Sequence, residues 1–91
     1  MVGRVRIHRS ALRHGIAASE IKHAWEFGVG DLSVDAGHDP PKRLRISPDH
    51  AGNFLELVYL EADDNPADEP IVIHAMALTG RLRVHLKKLR L

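Results

Sequence analysis

The sequence contains no cysteine, and this absence excludes several classes of protein. Disulfide-stabilised domains, iron–sulfur proteins, thiolate zinc sites and cysteine-nucleophile enzymes all need that residue. Aromatic residues are also few, so the core must be mainly aliphatic. No apolar run approaches the roughly 20 residues of a membrane-spanning helix, and the arginine-rich N-terminus lacks the apolar stretch of a signal peptide. We therefore predict a cytoplasmic protein with no membrane partner.

The residues that are present suffice for one folded domain. The 91 residues are 44% hydrophobic, close to the usual globular share, and a chain of this length can bury one compact core. We predict a single domain over residues 1–91.

Charge is distributed unevenly along the chain. Residues 1–14 carry four arginines, residues 80–91 carry five lysines or arginines, and neither segment contains an acid. Residues 15–79 hold all twelve acids against four basic residues. The basic ends are either ordinary solvated segments or a surface for nucleic acid or an acidic protein partner.

The clearest predicted helix spans residues 18–27. Ile21, Ala24 and Trp25 form one apolar stripe at helical spacing, and the N-cap is either Ala17 or Ser19.

Two further elements are predicted upstream of this helix. Alternation around Val5 and Ile7 indicates a short edge strand. Ser10 is a candidate N-cap for one helical turn over residues 11–14 that stops at Gly15.

The second half of the chain has the patterns of strands. Residues 43–47 alternate, with Leu44 and Ile46 predicted to face inward, whereas residues 54–61 and 71–78 are apolar on both faces. The short connections favour antiparallel pairing. Residues 32–34 could form another short strand, and the leucine spacing in residues 80–91 favours a helix over a strand. The predicted fold is α+β: short N-terminal helices, an antiparallel meander of three to four strands and a short C-terminal helix.

The sequence has no strong catalytic or cofactor motif. It lacks a phosphate-binding loop, a dinucleotide-binding glycine pattern and a nucleophile elbow. None of the seven histidines has metal-ligand spacing, and most are expected on the surface. We expect neither a metal nor a cofactor.

Glu56 and His74 stand out because each is a titratable residue within an otherwise apolar strand. Burying either one alone is costly. They are either a solvent-facing glutamate and a hydrogen-bonded core histidine, or an acid–base site on an open sheet face. Strand register decides whether they share a face.

Three other polar side chains are candidates for contacting RNA. Arg43 and Arg45 share one strand face, where they are either solvated or a phosphate-contacting pair. Tyr59 either stacks on a base or packs in the core.

Several segments resemble, in matching order, BrnT-type toxins and related small bacterial domains. Residues 10–16 and 20–24 are similar to the family's N-terminal half, where a Lys/Arg-His-Gly segment precedes an amphipathic helix. Residues 44–49, 52–59 and 72–76 are similar to its later stretches. The similarity covers about residues 7–84.

The resemblance implies a RelE-like fold, a metal-independent ribonuclease toxin of a type II toxin–antitoxin system, and a cognate antitoxin. In such ribonucleases a 2′-hydroxyl of the RNA attacks the neighbouring phosphate. BrnT-type toxins place arginines near the ends of the last two strands. This chain has no arginine in residues 59–62, near the end of the first of these strands, and its first arginine near the end of the second is Arg81. These differences keep open a non-catalytic binding module of the same fold, for protein or nucleic acid. An unrelated small enzyme or a structural subunit is the third alternative.

The candidate site residues form two groups. The catalytic candidates are His74, Glu56, Arg43, Arg45 and Arg81, and the candidates for nucleic-acid or partner binding are Tyr59, Arg83, Lys87 and Lys88. The expected partners are RNA and an antitoxin bound through residues 81–90, and self-association as a homo-oligomer stays open.

Overall fold

The computed structural model describes residues 5–28, 30–35, 42–61 and 69–79, and these form an α+β fold, as predicted. The elements in chain order are strand β1 (Arg6–Ile7), a 3-10 helix (Arg9–Leu12), helix α1 (Ala18–Glu26) and strands β2 (Gly30–Asp35), β3 (Lys42–Pro48), β4 (Phe54–Leu60) and β5 (Ile71–Ala77). The predicted C-terminal helix over residues 80–91 lies outside the described residues. No helix in the described ranges is long and apolar enough to cross a bilayer.

The described strands form one sheet in the order β1-β5-β4-β3-β2. Strands β2 to β5 pair antiparallel with their neighbours in sequence, which confirms the predicted meander. The predicted edge strand at the N-terminus is also present, but β1 pairs with β5 in parallel and makes the sheet mixed. A tight turn between two strands requires antiparallel pairing. Strands β2, β3 and β4 lie between β1 and β5 in the chain, so these two strands are free of that requirement and can pair in parallel.

Helix α1 packs on one face of the sheet through the stripe predicted from the sequence. Ile21, Ala24 and Trp25 are buried in one cluster with alternate residues of β4 and with Val72 and Ala75 of β5. The buried residues of this main core are Ala11, Ile21, Ala24, Trp25, Leu55, Leu57, Tyr59, Val72 and Ala75. Burial of this apolar stripe, rather than capping, holds the helix, since the N-cap is Ala17 and makes no side-chain cap hydrogen bond.

The opposite face of the sheet carries a second, smaller apolar cluster. Leu44, Ile46 and Leu78 are buried there, with Phe54 and Val58 packed against them. Side chains alternate between faces along a strand, so Glu56, two residues before Val58 in β4, points to the same face as Val58. Glu56 is therefore on the face away from α1.

The N-terminal turn differs from the prediction in one respect. Ser10 is not an N-cap: His8 precedes the 3-10 helix as its cap, and its Nδ1 accepts from the Ser10 backbone N–H at 3.1 Å. The Ser10 hydroxyl instead donates to the carbonyl of Ile73 at 2.7 Å. This bond ties the 3-10 helix to β5. Gly15 follows with φ of 79°, the left-handed conformation that glycine adopts without strain.

Candidate acid–base site

Glu56 is a buried carboxylate, only 7% exposed, held by three hydrogen-bonding groups. Its Oε2 accepts from the backbone N–H and from the hydroxyl of Thr79, each at 3.3 Å. Its Oε1 lies 3.4 Å from Nε2 of His74. Because an unpaired buried carboxylate is strongly unfavourable, these contacts explain how Glu56 is accommodated in an apolar strand. The alternative of a solvent-facing glutamate is wrong.

His74 reaches Glu56 through the pairing register of β4 and β5. Glu56 lies opposite Met76 and Val58 opposite His74, so Glu56 and His74 are diagonal neighbours on one face. The register shifts by one residue only beyond this stretch, where Tyr59 lies opposite Val72. That shift turns Val72 to the α1 face, where it is buried in the main core.

The contact between Glu56 and His74 fixes which nitrogen of the imidazole carries a proton. An ionised carboxylate only accepts hydrogen bonds, so Nε2 of His74 must donate. In the neutral ring Nδ1 then holds the lone pair and can take a proton from another molecule. The side chain of His74 is 31% exposed, so it is accessible to solvent. A carboxylate that orients an imidazole in this way is the arrangement of a general base.

His14 brings a second imidazole to the same place. Its ring centroid lies 5.2 Å from that of His74, and the two ring planes are 74° apart. The 3-10 helix positions it, because the Ser10 hydroxyl anchors that helix to β5 beside His74. From the sequence, most histidines were expected on the surface, and only His74 was given a role. His14 belongs to the Arg-His-Gly segment that carried the resemblance. Glu56, His74, His14 and Thr79 together are called the acid–base cluster below.

The structure does not bring Arg45 to this cluster. Arg45 lies opposite Leu57 on the α1 face of the sheet. Its Nε and Nη2 bind the carboxylate of Asp31 at 2.8 and 3.2 Å, and its Nη1 donates to the Trp25 carbonyl at 3.0 Å. The guanidinium also lies 3.7 Å from the centroid of the Trp25 ring. Arg45 thus joins α1 to β2 and β3, so the alternative of an ordinary solvated side chain is wrong for this residue.

Arg43 and Tyr59 are on the α1 face as well, opposite one another on β3 and β4. Arg43 forms a salt bridge of 3.2 Å with Glu61. The Tyr59 ring is buried edge-on against Trp25, with centroids 4.8 Å apart, and burial raises the pKa of its hydroxyl above 10.0. A ring enclosed in the core cannot stack on a base, so the predicted stacking role of Tyr59 is wrong and its packing role is correct.

The remaining candidates, Arg81, Arg83, Lys87 and Lys88, lie outside the described residues. Within the part of the chain that the structure describes, no group of three or more histidine, aspartate or glutamate residues is arranged to hold a metal ion.

A separate group of rings lies on the exposed side of α1. His23 stacks between Phe27, at 4.6 Å, and His50, at 3.8 Å between ring centroids. Glu20 fixes His50, since its Oε1 lies 2.6 Å from the His50 Nδ1 and its Oε2 accepts from the His50 backbone N–H at 2.8 Å. These contacts hold the β3–β4 turn against the helix. Phe27 is 56% exposed, so one end of this ring stack is open to solvent.

The contact between Glu20 and His50 should make stability depend on pH in the acid range. The backbone N–H of His50 lowers the pKa of Glu20 below its ordinary 4.5. Ionised Glu20 therefore stabilises the fold above that pH, and this contribution is lost as the pH falls through the lower folded-state pKa. We expect Glu20→Gln to flatten the acid side of the curve of melting temperature against pH. The exposed Glu26 on the same helix provides the control: Glu26→Gln should leave the shape unchanged, and equal curves for Glu20→Gln and the parent would contradict the assignment.

Comparison of the chain with known proteins finds no matching family model, no matching curated protein and no matching solved structure. The function is therefore inferred from the chemistry of the described residues. The acid–base cluster offers one oriented imidazole, a second imidazole beside it and a buried carboxylate. Such a set can accept and donate protons.

Proposed function

We propose that the protein is a metal-independent endoribonuclease that cleaves RNA at the acid–base cluster. The observation that carries the proposal is the buried Glu56 carboxylate bound to Nε2 of a partly exposed His74. RNA suits this site because each nucleotide carries its own nucleophile, the 2′-hydroxyl, beside the phosphate. Removing one proton starts the reaction, and an oriented neutral imidazole can remove it.

The proposed reaction assigns a role to each described group. Nδ1 of His74 takes the 2′-hydroxyl proton, and the 2′-oxygen bonds to phosphorus. The bond from phosphorus to the 5′-oxygen breaks, and the departing oxygen takes up a proton from an acid. Glu56 stabilises the imidazolium that forms, and Thr79 holds Glu56 in place. The products are a 2′,3′-cyclic phosphate and a 5′-hydroxyl end. Arg81 follows Thr79 by two residues in the sequence, and we retain it as the candidate for stabilising charge on the phosphate.

The resemblance to BrnT-type toxins extends the proposal to a biological role. The protein would be a cytoplasmic toxin of a type II toxin–antitoxin system, with a RelE-like fold and a cognate antitoxin bound through the basic residues 81–90. A mixed α+β sheet is compatible with such a role.

The proposal is tested by incubating the purified protein with single-stranded RNA in the presence of a metal chelator. We expect cleavage with 5′-hydroxyl ends, and no cleavage of the matching 2′-deoxy strand, which lacks the nucleophile. Inducible expression should slow growth and degrade cellular RNA. Intact RNA after incubation with folded protein would show that the proposed activity is wrong.

A second candidate function is a non-catalytic binding module for protein or nucleic acid. The open end of the ring stack at Phe27 favours it, because exposed aromatic faces bind unpaired bases by stacking. In the same assay, RNA that is retained by the protein but stays intact would favour this alternative.

A further inference from the structure

We infer that His14 is the general acid that protonates the leaving 5′-oxygen, while His74 acts as the base. This inference rests on the proposed function and assigns to its site a second catalytic residue. A strongly basic alkoxide leaves slowly unless it receives a proton in the transition state, so RNA cleavage needs a proton donor as well as a proton acceptor.

The positions of the two rings fit these complementary roles. With centroids 5.2 Å apart, His14 and His74 can contact one phosphate group at the same time. The ring planes are 74° apart, so the two imidazoles meet edge to face and not as a parallel stack. Two separate proton-transfer groups suit an in-line displacement, in which the attacking and leaving oxygens lie on opposite sides of phosphorus.

Glu56 determines which histidine takes which role. The carboxylate holds the Nε2 proton of His74 and leaves Nδ1 as its proton acceptor. His74 must therefore begin the reaction neutral, and the proton for the leaving group must come from another residue. His14 is exposed and its ring adjoins that of His74, so it is placed to supply this proton.

The complete step is balanced in protons and bonds. The 2′-hydroxyl proton passes to His74, the bond between the 2′-oxygen and phosphorus forms, and the bond between phosphorus and the 5′-oxygen breaks. A ring proton of His14 passes to the departing oxygen. His74 ends protonated and His14 ends neutral, and exchange with water restores both.

The experiment compares two substrates that differ only in their need for a proton donor. One is a short RNA, whose leaving group is a ribose 5′-oxygen. The other is a ribonucleoside 3′-(4-nitrophenyl) phosphate, whose nitrophenolate leaves without a proton. We expect His14→Ala to slow RNA cleavage about 10²–10⁴-fold and to slow nitrophenolate release far less.

His74→Ala, by contrast, should slow both reactions, because both need the base. The parent's rate on RNA should rise and then fall with pH, and His14→Ala should remove the alkaline fall, which reports the acid. His14→Gln should behave like His14→Ala. Leu12→Ala, a change at an exposed residue of the same segment, controls for local disturbance and should leave both rates unchanged.

The outcomes separate this inference from the proposed function. If the parent cleaves both substrates and His14→Ala slows them equally, or slows neither, His14 is not the general acid although the ribonuclease assignment stands. If the folded parent cleaves neither substrate, the ribonuclease assignment itself is wrong, and the role of His14 falls with it.

Discussion

Replacing His74 with alanine should lower the rate of RNA cleavage by about 10²–10⁴-fold, the usual contribution of a general acid–base group. Alanine cannot accept the 2′-hydroxyl proton, whereas RNA binding should change little, so the loss should appear in kcat rather than in KM. The fold should persist. The side chain of His74 is 31% exposed, and Glu56 keeps its two contacts with Thr79 when the imidazole is removed.

Initial rates at saturating RNA measure this loss, and circular dichroism with thermal melting checks that the variant is folded. Glu56→Gln provides a second, independent variant. It keeps the size of the side chain but removes the charge that stabilises the imidazolium, so it should also lower kcat. A folded His74→Ala protein with parental activity would identify His74 as a structural histidine and refute its catalytic role.

Helix α1 and the meander were predictable because their signals are local. Ile21, Ala24 and Trp25 recur at the spacing of one helical face, and the structure buries these three side chains. Strands β3, β4 and β5 were predictable from alternating or continuous apolar runs joined by short connections. In each case the apolar or polar character of neighbouring residues was sufficient to predict the element, and contacts with distant parts of the chain did not have to be known.

The acid–base cluster was only partly predictable, because it depends on contacts between distant segments. Glu56 and His74 could be singled out as polar residues in apolar strands, but their meeting depends on the register between β4 and β5. That register has no clear signal in runs as uniformly apolar as residues 54–61 and 71–78. His14 joins them through the anchoring of the 3-10 helix on β5, which no local pattern shows.

Arg45 shows why the alternating pattern of residues 43–47 did not predict the contacts of its arginines. Treating every charged residue in an alternating strand as solvated ignores the fact that a guanidinium can stack on an aromatic ring while its edge binds a carboxylate. Arg45 does both, with Trp25 beneath it and Asp31 beside it. Gly28 makes room for this arrangement, since a Cβ at that position would lie 2.7 Å from the Arg45 Cδ.

Replacing Trp25 with alanine should lower the free energy of unfolding by about 3–5 kcal/mol, as expected for a large aromatic residue removed from a core. The indole is only 8% exposed, lies edge-on to Tyr59 at 4.8 Å and supports the Arg45 guanidinium at 3.7 Å. A loss of this size is a large part of the roughly 5–15 kcal/mol that stabilises a typical domain. The variant should therefore unfold at a much lower urea concentration.

Urea unfolding followed by circular dichroism measures this effect, because tryptophan fluorescence is lost with the residue. Phe27→Ala is the matched control, an aromatic residue next to the same helix but 56% exposed. It should cost about 1 kcal/mol or less, as surface substitutions usually do. Trp25→Phe should recover part of the loss, because a phenyl ring still fills much of the space against Tyr59 but offers Arg45 a smaller face. If Trp25→Ala were as stable as the Phe27→Ala protein, the indole could not be the contact that fixes α1 on the sheet.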